Sequence, residues 1–89
     1  MNTISMEKME ELKTYPLSYR LKMLRGLGGY NQQQFADLID IKKATVSTWE
    51  RGSSQPSIIS LMKIIQVFNL PCDFFMDVVE NMNGQEKKN

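Results

Sequence analysis

Between Lys43 and Arg51, small and polar side chains recur at the spacing of one helical face, opposite Val46 and Trp49. The face consists of Lys43, Ala44, Ser47 and Thr48. A lysine can donate to O6 or N7 of guanine, a threonine can donate or accept, and the methyl groups of alanine and threonine can contact a thymine methyl. Such a face could read base edges in a DNA major groove, or it could be no more than a small, polar surface exposed to solvent.

Two short helices and a tight turn must position this face. Asn31 can accept from the free N–H groups of a first helical turn, so a helix is predicted from Gln32 to Ile39. Asp40 tolerates a left-handed turn, and Gly52 ends the second helix. Because Ala36 is small, the second helix can approach the first closely. The pattern predicts a helix-turn-helix whose second helix, Lys43 to Arg51, turns its polar side toward a groove.

The segments outside this unit predict four more helices. These are an amphipathic arm with Thr3 or Ser5 as its cap, a helix from about Leu17 to Leu27, a helix begun by Pro56 and Ser57, and a helix from Asp73 to about Met82. The chain thus divides into an N-terminal arm at 1–15, a helical domain at 16–82 and a polar tail at 83–89 that we expect to be disordered. The arm could pack on the domain, pair with a second copy or fray, and we expect packing.

Composition favours a cytoplasmic protein with a basic centre. The single cysteine, Cys72, excludes an internal disulfide, and neither a signal-peptide pattern nor a membrane-spanning apolar run is present. Although the net charge is +1, residues 16–70 carry seven basic residues against three acids. The seven are Arg20, Lys22, Arg25, Lys42, Lys43, Arg51 and Lys63. This centre suits an approach to phosphate, but an ordinary solvated surface would also explain it.

The run from Arg20 to Asp77 resembles the five-helix DNA-binding domain of the phage-repressor and Xre-type helix-turn-helix family. The residues that carry the resemblance are Gln32, Phe35, Ala36, Asp40, Ile41, Val46, Glu50, Gly52, Pro56 and Ser57. Two positions depart from the family pattern: Asp40 stands in place of glycine, and Lys42 replaces the serine or threonine that caps the recognition helix. The missing cap predicts a helix start weakened by about 1 kcal/mol. The implied fold class is all-α, with the short N-terminal helical arm added to the five helices.

The resemblance also implies a function and a set of site residues. We expect a sequence-specific transcriptional regulator, most simply a repressor, that binds a palindromic double-stranded DNA operator as a homodimer through the major groove. The base-reading residues would be Lys43, Ala44, Thr48 and Ser47. The phosphate-binding residues would be Gln32, Lys42, Thr45, Arg51 and Ser53, or Ser54 beside it. Arg25 and Glu50 would form a structural ion pair. The dimer surface would be Phe75, Met76 and Val79 on the last helix, or Met6 and Met9 on the arm.

Other classes of function are less well supported by the residues. An enzyme is not expected, because the chain has no histidine and neither an acid pair nor a phosphate-binding loop stands out. No cofactor, metal ion or membrane contact is implied. The competing hypothesis is a protein-binding module of the same fold, antitoxin-like or an assembly partner, for which DNA contact is secondary. Binding to duplex DNA that falls steeply with added salt would separate the two hypotheses.

Overall fold

Six α-helices and no strand make up the part of the chain that the structure describes, in agreement with the all-α prediction. The computed structural model describes the backbone of residues 4–87 and the side chains of residues 4–81. The helices are α1 (Met6–Leu12), α2 (Leu17–Leu27), α3 (Gln32–Leu38), α4 (Lys43–Arg51), α5 (Ile58–Phe68) and α6 (Met76–Lys87). The observed bounds of α2 and α4 are the predicted ones. Over residues 4–87, no helix has both the length and the apolar character needed to cross a membrane.

Side-chain caps set the starts of three helices. Ser5 Oγ accepts from the backbone N–H three residues further on, at 3.1 Å, and the other candidate cap, Thr3, lies outside the described residues. Asn31 and Gln34 form a capping box in which each side chain accepts from the other residue's backbone N–H, at 2.7 and 2.9 Å. Ser57 caps α5 in the same way as Ser5 caps α1. Because each cap stabilises its helix by about 0.5 to 2 kcal/mol, these starts are fixed locally.

The N-terminal arm packs into the same apolar core as the other helices. Ile4, Met9 and Leu12 are buried in one cluster with the inward-facing side chains of the domain. That cluster also contains Leu21, Leu24, Phe35, Ala36, Ile39, Val46, Trp49, Leu61, Ile64, Phe68, Leu70, Phe74, Phe75 and Val78. Of the two arm residues proposed for a dimer surface, Met9 is thus in the core and Met6 alone is exposed.

Arg20 is a buried polar centre rather than a surface cation, with an exposed fraction of 1%. Its guanidinium donates to the carbonyl oxygens of Tyr15 at 2.6 Å, Phe74 at 2.9 Å and Lys13 at 3.2 Å. It also donates to both carboxylate oxygens of Asp77 at 3.1 Å, and this bond lowers the pKa of Asp77. Arg20 therefore joins the α1–α2 link to the last helix and adds nothing to the basic surface.

The C-terminal part differs from the sequence prediction. Residues 71–75 form a turn, and α6 begins at Met76 rather than at Asp73. The helix passes the predicted end at Met82 and continues to Lys87, so the predicted disordered tail at 83–89 is helical as far as it is described. The physical reason is that glutamine, glutamate and lysine favour helix, and one internal glycine costs only about 1 kcal/mol.

Phe75 is a core residue, which corrects its assignment to the dimer surface. Its exposed fraction is 1%, and its ring stands edge-to-face on Phe74 with the centroids 5.0 Å apart. The turn before α6 buries both phenylalanines, so Phe75 is unavailable to a second copy of the chain. Of the three residues predicted for that surface, Met76 is exposed and Val79 is half-buried.

Candidate nucleic-acid interface

The turn between α3 and α4 fixes how the two helices cross. Asp40 adopts a left-handed backbone with φ of 60°, a conformation that aspartate tolerates better than most residues. The N–H of Ile41 donates to the carbonyl oxygen of Ala36 at 2.9 Å, so the turn closes directly onto α3. Ala36 is completely buried, and its small side chain permits close packing of the helices. The orientation of α4 is thus set by the turn and not by a long loop.

An ionic network ties α2, α3 and α4 together. Arg25 Nε donates to Glu50 Oε2 at 2.6 Å and Arg25 Nη2 donates to Oε1 at 3.1 Å, which is the pairing implied by the resemblance. Gln32 Nε2 donates to the same Oε1 at 3.1 Å, and Arg25 Nη1 donates to the carbonyl oxygen of Tyr30 at 3.0 Å. The bond to Glu50 raises the pKa of Arg25. The network fixes the start of α3 against the end of α4.

The face of α4 opposite Trp49 is open to solvent at its first turn. Lys43 and Ala44 are exposed, and Ser47 and Thr48 are half-buried one turn further along. Trp49 is buried in the core. The four residues predicted to read bases therefore share one side of a helix whose other side is anchored.

The two hydroxyl groups on this face hydrogen-bond within the chain. Arg51 Nη1 donates to Ser47 Oγ at 2.6 Å, which draws the guanidinium back along α4. Thr48 Oγ1 donates to the carbonyl oxygen of Thr45 at 2.8 Å and lies 2.9 Å from Ser54 Oγ. The link from Ser54 to Thr48 was not predicted, because it depends on how the loop after Gly52 folds back onto α4.

The residues predicted to bind phosphate lie around this face. Lys42, Arg51 and Ser53 are exposed, and Thr45 is half-buried. Gln32 uses one amide N–H for Glu50, which leaves the second for another acceptor. Gln32 and Lys43, the first residue of α4, line the same groove of about 360 Å³. It is lined by Arg25, Asn31, Gln32, Gln33 and Lys43.

Lys42 occupies the N-cap of α4 without a side-chain cap hydrogen bond. Lys42→Ser is therefore expected to raise the free energy of unfolding by about 0.5 to 2 kcal/mol, because serine can accept from a free N–H of the first turn. Chemical denaturation measures the change. Lys42→Ala is the matched control, since it removes the same charge without adding an acceptor. Equal stabilities of the two variants would contradict the missing-cap explanation.

Sequence reasoning overlooked Arg20 although a signal was present. Arg20 follows Leu17 by three residues and precedes Leu24 by four, which places it on the apolar face of α2. A charged side chain at such a position must be hydrogen-bonded where it is buried. The net charge of residues 16–70 does not reveal the burial of Arg20, because such a count treats every basic residue as exposed.

The short helix α4 packs across α3 at a tight turn. One side of α4 is anchored in the core and the other side is open to solvent. This arrangement defines a helix-turn-helix protein. Comparison with known families agrees: the helix-turn-helix family model matches residues 21–75, from α2 to the turn before α6. The chain belongs to the Xre-type helix-turn-helix family.

Individual relatives share the same region. The SPbeta prophage-derived uncharacterized HTH-type transcriptional regulator YonR of Bacillus subtilis is 32% identical over 57 residues, which are 64% of this chain and 53% of YonR. The HTH-type transcriptional regulator ImmR of Bacillus subtilis is 29% identical over 75 residues, 82% of this chain and 59% of ImmR. Antitoxin HipB of Escherichia coli O6:H1 is 33% identical over 54 residues, 61% of this chain and 57% of HipB. The chain spans little more than half the length of these three relatives, and no solved structure matches it.

Proposed function

We propose that the protein is a sequence-specific double-stranded DNA-binding regulator of transcription, a repressor acting in the cytoplasm. The observation that carries the proposal is the open face of α4, where Lys43 and Ala44 are exposed while Trp49 anchors the opposite side. Exposed cations at Lys42 and Arg51 stand at the two ends of the helix. YonR and ImmR are both named transcriptional regulators, which supports the same class.

In this proposal the first turn of α4 reads bases. Lys43 donates to O6 or N7 of a guanine, and the methyl group of Ala44 contacts a thymine methyl. Ser47 and Thr48 meet the next base pairs along the groove. The surrounding residues Gln32, Lys42, Thr45, Arg51 and Ser53 bind phosphates. Phosphate contacts position the protein without reading sequence, and they make its affinity depend on salt.

Lys43→Ala tests the base-reading role. We expect roughly ten- to hundredfold weaker binding to a duplex recovered by selection, because one good base contact is lost. The midpoint of thermal unfolding should not change, since Lys43 is exposed. Lys8→Ala on α1 changes the charge equally and serves as the control in gel shifts at one salt concentration. If Lys43→Ala and Lys8→Ala weaken DNA binding equally, Lys43 contributes only its charge and does not read a base.

The protein is proposed to bind as a homodimer, because a single module of this kind covers only a half-site. An exposed apolar surface on α5 supports this, and we favour it over the last helix. Ile58, Ile59 and Met62 share one side of α5, with Ile59 68% and Met62 56% exposed. Contiguous apolar side chains on a surface mark an association site, and a two-fold contact would place the same uncharged groups against each other.

Ile59→Glu tests the α5 surface. A charge at its centre is expected to convert dimers into monomers in sedimentation, and to weaken binding to a palindrome at least tenfold more than binding to a half-site. Because Ile59 is mostly exposed, folding should be retained. Met76→Glu places the same charge on the last helix. Dissociation by Met76→Glu alone would restore the last helix as the dimer surface, and dissociation by neither variant would argue against both surfaces.

A second candidate is a protein-binding module of the same fold. One observation favours it: the matched region of HipB, which is named an antitoxin, is 33% identical to this chain. The exposed apolar side of α5 would then receive a different protein rather than a second copy. This function predicts duplex DNA binding that is weak and indifferent to sequence, with Lys43→Ala leaving partner binding intact.

A further inference from the structure

The hydrogen bonds of Thr48 determine which part of its side chain is free. Thr48 Oγ1 lies 2.8 Å from the carbonyl oxygen of Thr45 and 2.9 Å from Ser54 Oγ. A carbonyl oxygen can only accept, so the single hydroxyl proton of Thr48 goes to Thr45. Ser54 must then be the donor in the second contact. The result is a directed chain, from Ser54 to Thr48 to the backbone of α4, in which Thr48 has no proton left for a base.

This chain also fixes the rotation of the Thr48 side chain. A β-branched residue in a helix has few χ1 choices, and threonine normally divides between two because its hydroxyl can bond to the preceding turn. Here the hydroxyl is bound on one side by the helix backbone and on the other by the loop residue Ser54. The methyl group is the one branch of the side chain with no hydrogen-bonding role.

We propose that Ser54 is a positioning residue that holds the methyl group of Thr48 toward the major groove, where it reads the C5-methyl group of a thymine. The inference rests on the proposed DNA-binding function and names the chemical group recognised at one position of the half-site. Ser47 contrasts with Thr48. Its Oγ accepts from Arg51 Nη1 at 2.6 Å, which leaves its own proton free to donate to a base or a phosphate.

Deoxyuridine scanning tests the proposal on a duplex recovered by selection. Each thymine of one half-site is replaced in turn by deoxyuridine, which removes only the C5-methyl group. At the thymine opposite Thr48 we expect affinity to fall roughly fourfold, the value of one buried methyl group. Thr48→Ser keeps the hydroxyl chain and loses the methyl group, so it should bind the unmodified duplex about fourfold more weakly. It should also be insensitive to deoxyuridine at that one position.

Three more variants separate positioning from general structural effects. Thr48→Val loses the hydroxyl and both of its hydrogen bonds, but valine in a helix holds one χ1 rotamer by itself and keeps two methyl groups, so sensitivity to deoxyuridine should persist. Ser54→Ala releases Thr48 and should reduce that sensitivity, whereas Ser54→Thr should restore it. Thermal unfolding of each variant shows that the domain remains folded.

Three results would overturn the inference. The first is a folded Ser54→Ala variant whose sensitivity to deoxyuridine equals that of the wild type, which would remove the positioning role of Ser54. The second is sequence-specific binding in which no deoxyuridine effect depends on Thr48. The third is a Thr48→Val variant that fails to bind while Thr48→Ser binds normally, which would make the hydroxyl the reading group. If wild-type protein selects no duplex at all, the proposed function itself fails and the inference falls with it.

Discussion

Arg20→Met is expected to lower the free energy of unfolding by about 3 to 5 kcal/mol. The substitution fills most of the space but leaves the carbonyl oxygens of Tyr15 and Phe74 without the donor that now reaches them at 2.6 and 2.9 Å. A buried polar group without a partner costs about 1 to 3 kcal/mol. Two such losses, with a third at Lys13, are a large share of the 5 to 15 kcal/mol that typically stabilises a small domain. Urea denaturation followed by circular dichroism measures the change.

Asp77→Asn is the control for the charge of the same cluster. It removes the carboxylate but leaves every bond from Arg20 to backbone carbonyls, and the Asp77 side chain is 59% exposed. We expect a loss of about 1 to 3 kcal/mol, smaller than for Arg20→Met, because the buried Arg20 loses its counterion but keeps its carbonyl partners. Because Arg20 lowers the pKa of Asp77, this contribution is present above the ordinary value of 3.8 and is lost as the pH falls through the lower folded-state value. An Arg20→Met protein no less stable than Asp77→Asn would show that the carbonyl contacts matter little.

Glu50→Ala is expected to cost about 2 to 4 kcal/mol of stability and to weaken DNA binding as a secondary effect. The Glu50 side chain is 6% exposed, and its removal leaves the Arg25 guanidinium and the Gln32 amide without their shared acceptor. The estimate lies below that for a fully buried pair because the Arg25 side chain is 18% exposed and can move toward water. Thermal unfolding measures the loss.

A double replacement separates the ion pair from its geometry. Exchanging both Arg25 and Glu50 for methionine should recover much of the stability lost in Glu50→Ala, because no unpaired charge remains. Glu50→Gln, which keeps one acceptor oxygen, should lie between wild type and Glu50→Ala. A Glu50→Ala protein that unfolds at the wild-type temperature would contradict a structural role for this pair.

The sequence predicted those features whose causes are local. Pro16 directly precedes α2 and Gly52 directly follows α4. The apolar spacing that identifies each helix lies within that helix. The open side of α4 followed from residue types within a single helix. The absence of a cap at Lys42 could be read from that one residue.

The features it missed depend on contacts between distant segments. Burial of Arg20 requires the carbonyl oxygen of Phe74, 54 residues further on. Whether Phe75 faces the core or a partner depends on the turn at residues 71–75, which no local pattern predicts. The Thr48 to Ser54 contact requires the loop after α4 to fold back, so the hydrogen bonding of Thr48 was not visible in the sequence.

Selection of binding sites from random duplexes, followed by salt titration of the recovered site, tests the central claim most directly. The open face of α4 predicts a recovered palindrome whose half-sites lie about one helical turn apart. Binding to it should weaken steeply with salt, with a logarithmic slope of about −0.9 for each phosphate contact. Recovery of no preferred sequence, with weak binding that salt hardly changes, would contradict the claim that this face reads DNA.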